Sequence, residues 1–139
     1  MREILFRAKR VDNGEWVEGD LHIHCNKPHI HNINPLELGG KLRVQECILI
    51  DPSTVGQYTG LTDNDGKRIF EGDLLFDSEW ECEGHVAWAN EHLSWMIVMS
   101  GEKEFLQEFI TDGEAMCAGC THIIGNIHDN PEELLEVSQ

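Results

Sequence analysis

The sequence predicts a mostly β protein, and three observations carry that prediction. Apolar residues recur at alternate positions in short runs, as in Ile4, Phe6 and Ala8 or in Trp95, Ile97 and Met99, which is the period of a half-buried strand. Turn-forming clusters separate the runs: Asp12-Asn13-Gly14, Asp63-Asn64-Asp65-Gly66 and Glu71-Gly72-Asp73. Helical spacing is confined to short stretches. At 139 residues the chain is one domain by size, or two very small subdomains that share a core. Its 40% hydrophobic content suffices for a core of ordinary size without disulfides or metal, and excludes a disordered chain.

In chain order, residues 3–10 and 15–24 form a hairpin around Asp12-Asn13-Gly14, with Trp16 opening the return strand. In that strand Leu21, Ile23 and Cys25 share one face and His22 and His24 the other. Residues 26–41 contain two Pro, a Gly-Gly pair and three Asn, and read as a loop or insertion. Leu42 to Ile50 is the next strand. A short apolar segment reaches Leu61, Thr62 to Gly66 is a turn, and Ile69 and Phe70 lead through Glu71-Gly72-Asp73 into a strand at Leu74–Phe76. Further strands are expected at 84–89, at 93–99 and from His122 to Ile127. Residues 103–111 are ambiguous, because Phe105, Leu106, Phe109 and Ile110 fit one face of a short helix. Asn130 is a good N-cap, Pro131 suits the first helical position, and Glu132 and Glu133 complement the dipole, so a helix is expected over 130–137. The expected organisation is a single domain with an N-terminal β region (1–53), a second β part (54–128) and the terminal helix.

Twenty-six acidic against ten basic residues leave a formal charge of −16. Such a surface repels phosphate backbones, so direct nucleic-acid binding is disfavoured. Four of the ten cations, Arg2, Arg7, Lys9 and Arg10, nevertheless fall in the first ten residues, which leaves a local basic patch open. The acidity serves solubility, or attracts a basic partner, including by mimicry of a nucleic-acid backbone. No run approaches the roughly 18 apolar residues of a membrane span, and MREILFRAKR has no signal-peptide core. A soluble cytoplasmic protein with five reduced cysteines is expected.

Cys117-Ala-Gly-Cys120 has the spacing with which two thiolates bind one zinc or exchange a disulfide. A structural zinc site needs two more ligands, and His22, His24, Cys25, His29 and His31 crowd one segment. Cys117, Cys120, His22 and His24 are therefore the candidate metal ligands, with incidental thiols as the plainer account of the pair and no other cofactor expected. Asp63-Asn64-Asp65-Gly66 fails as a calcium loop, because Gly66 follows Asp65 directly; it reads as a tight turn. Trp16, Trp80, Trp88 and Trp95 read as core in short strands rather than as a ligand groove. No nucleophile motif or phosphate-binding Gly loop occurs.

The string TVGQYTGLTDNDGKRIFEGDLL, which begins at Thr54, resembles the signature of the YopX family, small proteins of bacteriophages and prophages. The opening MREILFRA and IIGNIHDNPEELL at 123–135 agree with it in the same order. The departures are Lys9-Arg10, the histidine-rich stretch 22–31 and Cys117-Ala-Gly-Cys120. The resemblance implies a mostly β fold whose second half is a small curled antiparallel barrel of the Src-homology-three type, and it carries no catalytic residues over. Its recurrent residues include Gln57, Thr59 and Asp63, which are either scaffold or an exposed strip that a partner reads by hydrogen bonds. The expected function is a non-enzymatic phage or prophage accessory protein that binds a host or phage protein in the bacterial cytoplasm, with self-association also open to it. The alternatives are an acidic inhibitor that mimics nucleic acid and a metal-dependent hydrolase built on the histidines.

Overall fold

The computed structural model of the chain describes residues 3–34, 44–78, 81–99, 102–107 and 115–131. Two compact units divide it between Gln57 and Tyr58. The N-terminal unit contains β1 (Phe6–Lys9), β2 (Trp16–His24), β3 (Lys27–Asn34), β4 (Val44–Leu49) and the first residues of β5 (Gly56–Thr62). The strands lie in the order β4-β3-β2-β1-β5, and every neighbouring pair is antiparallel. Ala8 pairs with Val17 across the first hairpin, and Gly14 holds its turn with a bond to the Arg10 carbonyl. Alternation sends Ala8, Val17, Ile30, Ile48 and Ile50 into one core, against which Leu21 and Val55 pack. The N-terminal cations are engaged locally. The Arg7 guanidinium and the Lys9 ammonium lie 4.7 and 5.5 Å from the Trp16 ring centre, and Arg10 grips Asp12 through two hydrogen bonds of 2.9 and 2.8 Å.

One expected loop is a strand. Residues 27–34 form β3, because Cys25 and Asn26 both adopt positive φ (52° and 63°) and make a two-residue connection of the mirror-image type that suits strand twist. The remainder of that loop expectation, 35–41, lies outside the described residues.

The C-terminal unit begins with the rest of β5, which pairs with β6 (Arg68–Phe70). It continues with β7 (Asp73–Asp77), β8 (Cys82–Ala89), β9 (Ser94–Met99), β10 (Glu102–Gln107), β11 (Ala115–Cys117) and β12 (Thr121–Asn126). These six form a sheet in the order β11-β10-β9-β8-β7-β12, antiparallel except between β10 and β11. Ile69, Leu75, Val86, Trp95, Ile97, Leu106 and Ala118 are its core. The ambiguous stretch is thus a strand through Gln107, and Phe109 and Ile110 lie outside the described residues. The expected C-terminal helix also lies outside them beyond Pro131.

The expected barrel is not closed. One edge of β12 pairs with β7, and the other is covered by the 63–66 turn instead of a strand. The Asn64 amide donates to the Thr121 carbonyl (2.8 Å), the Ile123 amide donates to Asp63 Oδ2 (3.1 Å), and Asn64 Nδ2 donates to the Gly119 carbonyl (3.1 Å). A turn that satisfies the edge blunts it against further pairing. Gly72 holds the next corner. Its φ is +92°, its amide donates to the Val86 carbonyl (2.8 Å), and its carbonyl accepts from the Ile127 amide (2.9 Å), a conformation that only glycine adopts without strain. Of the tryptophans expected in the core, Trp95 is buried, Trp88 packs edge-on against it while 41% exposed, and Trp80 lies outside the described residues. Among the described residues no helix is long and apolar enough to cross a membrane.

His85 on β8 is half-buried, with Nδ1 buried and unpartnered, and burial lowers its pKa below the ordinary 6.5. The unfolded chain therefore binds the proton more readily than the folded one. Stability should fall as pH drops below about 6.5 and level off only once folded His85 is itself protonated. Urea midpoints measured across this window should show a shallower fall in His85→Leu. An unchanged slope would assign the loss to other groups.

Candidate functional site

The face of the N-terminal sheet opposite its core carries the histidines. Because the Cys25-Asn26 connection sets the register, His22 lies directly across from His29, and Asp20 from His31. The next ladder places Cys47 across from His31. Cross-strand partners project to one face, so β2, β3 and β4 bring His22, His29, His31 and Cys47 together. The His22 and His31 rings are 3.7 Å apart between centres, and His29 is 5.8 Å from His22. The Cys47 sulfur lies 3.8 Å from His22 Nε2. The ligand atoms of His22, His31 and Cys47 all fall within 4.8 Å of one another. Desolvation lowers the His22 pKa, and the neighbouring imidazoles His31, His29 and His24 lower it further. The His29 Nδ1–H points at the Lys27 carbonyl (2.9 Å), which leaves Nε2 with its lone pair.

Of the expected metal ligands, His22 stands in this cluster and His24 at its rim, 6.4 Å from His22 between ring centres. Cys117 and Cys120 belong to the C-terminal unit, where Cys117 is buried and Cys120 exposed around a single 3₁₀ turn. Among the described residues, they join no group of three ligands. His31 and Cys47 take their place. The period-two pattern marks His31 as a face-mate of His29, but Cys47 is reached only through the β3–β4 register.

The strip expected from Gln57, Thr59 and Asp63 does not form as an exposed surface. Thr59 is buried; its hydroxyl donates to the Ile69 carbonyl (2.8 Å) and accepts from the Leu61 amide (3.1 Å). Asp63 is buried too. Its Oδ1 accepts from the amides of Asp65 and Lys67, both at 2.9 Å, and its Oδ2 from that of Ile123. Gln57 is half-buried. Both Thr59 and Asp63 spend their polar atoms on their own backbone.

A second feature escapes sequence reasoning, because it is a conformation and not a motif. At the β8–β9 tip Leu93 holds φ 49° while 77% exposed. Trp88, whose indole N–H donates to Asn90 Oδ1 (2.8 Å), precedes the same tip, and His92 stacks edge-on with Phe105 at 5.3 Å.

Fold and site together define a small β protein of two mostly antiparallel units with an imidazole–thiol face on the first. A family model described as YopX protein matches residues 5–136, and the chain belongs to the YopX family. The crystal structure of protein EF1440 from Enterococcus faecalis is similar to it, with 22% identity and a TM-score of 0.51 over 96% of this chain and 99% of that one. That likeness shows a shared fold. A search of curated proteins finds no match.

Proposed function

We propose that this YopX-family protein is a non-enzymatic phage or prophage accessory protein that works in the bacterial cytoplasm by binding a host or phage protein. The observation that carries this reading is the β8–β9 tip. A leucine in the left-handed region costs roughly 1–2 kcal/mol, and here that strain holds an apolar side chain, 77% exposed, at the tip that the partly exposed Trp88 precedes. Backbone strain of this kind clusters at functional sites, and we assign the tip to the partner contact on that ground. With a chain charge of −16, the fitting partner offers an apolar pocket rimmed by basic side chains.

The test is to identify a partner from host lysate, reconstitute the complex from purified proteins and compare Leu93→Gly with wild type. Glycine relieves the strain, so stability should hold or rise by up to about 1 kcal/mol, while affinity falls at least tenfold. Unchanged affinity would remove the tip from the interface. The charge of −16 favours one second reading, an acidic mimic of nucleic acid. Its signature differs: binding indifferent to Leu93 but lost as salt rises, since exposed charges are screened within roughly 10 Å at 0.1 M.

A further inference from the structure

We propose that His22, His31 and Cys47 form a zinc site, with two imidazole nitrogens and one thiolate at three corners of a tetrahedron and a water at the fourth. This goes beyond the partner-binding reading and rests on different residues. Zinc bonds of roughly 2.0–2.1 Å to nitrogen and 2.3 Å to sulfur, at a tetrahedral angle, place those two atoms about 3.6 Å apart. The Cys47 sulfur and His22 Nε2 are 3.8 Å apart already, and all three ligand atoms lie within 4.8 Å. An ion would enter with little movement of the backbone, because the ligands sit on three adjacent strands whose ladders fix them.

The His22 and His31 rings stand 3.7 Å apart between centres, so a single ion can reach a nitrogen of each. The donor set also selects the ion: imidazole with thiolate suits zinc and not magnesium or calcium, which take oxygen. Cys47 is exposed, so the open corner is reachable from solvent. A bound ion would join β2, β3 and β4 side chain to side chain.

Full-length protein purified without a histidine tag tests this, titrated with Zn²⁺ and separately with Co²⁺. The expected result is one ion per chain, a thiolate-to-cobalt charge-transfer band and a melting temperature raised by zinc. Cys47→Ser should abolish the band and the thermal shift and weaken zinc at least tenfold, with a metal-free melting temperature equal to wild type. His22→Gln should weaken zinc comparably. Cys25→Ser and the double variant Cys117→Ser/Cys120→Ser should keep the band and the shift. A band that survives Cys47→Ser, or one that disappears only in the Cys117→Ser/Cys120→Ser protein, overturns the assignment. So does zinc binding that neither His22→Gln nor Cys47→Ser weakens.

Discussion

Gly19→Ala should destabilise the N-terminal unit by about 3 kcal/mol, at the upper end of ordinary overpacking. Gly19 pairs with Phe6 on one side of β2, and on the other the chain coils so tightly that a Cβ would fall on the His31 carbonyl oxygen. It would also stand 2.9 Å from the Ile30 side chain, which is itself fully buried. Neither neighbour can yield cheaply: one is strand backbone and the other is the centre of the core. If β3 retreats, His31 leaves His22, so the variant should lose zinc-dependent stabilisation along with its urea midpoint. A wild-type midpoint would show that β3 can move away at no cost, and the requirement for glycine would fall.

Asp63→Ala should cost about 3 kcal/mol in the C-terminal unit. The buried carboxylate accepts three backbone N–H groups, from Asp65, Lys67 and Ile123. Each amide left unpaired loses roughly 1–3 kcal/mol, less where water can replace the lost oxygen. Asp63→Asn keeps one acceptor oxygen and turns an N–H₂ toward an amide donor, so about 1–2 kcal/mol is expected. Hydrogen exchange gives the sharper readout, because the Ile123 amide should lose protection in both variants while strands β8 and β9 keep theirs. If Asp63→Ala leaves stability and Ile123 protection unchanged, the turn does not cover the β12 edge as described.

These two variants mark the line between local and non-local information. The alternation in β2 and β9 and the Asn-Asp-Gly turns follow from period-two geometry and turn chemistry. Residues a few positions apart set both, so the β class, most strand positions and the shared face of His22 and His24 could be read from the sequence. The β2–β3 hairpin was hidden because Cys25-Asn26 lacks the glycine that usually marks its turn type, and because Pro28 and the Asn residues resemble a loop. The turn role of Asp63 was legible, but its third bond reaches Ile123, 60 residues along the chain, and that bond helps leave the sheet open instead of closing it into a barrel. The metal-ligand set shows the same division. Alternation within one strand decides which side chains share a face, and it put His22 and His24 together. Which strands become neighbours, and in what register, depends on ladders between distant segments and on the burial of Ile30, Ile48 and Ile50 beneath them. Only that packing set His22 beside His31 and Cys47, the latter 25 residues away, and left Cys117 and Cys120 outside the cluster.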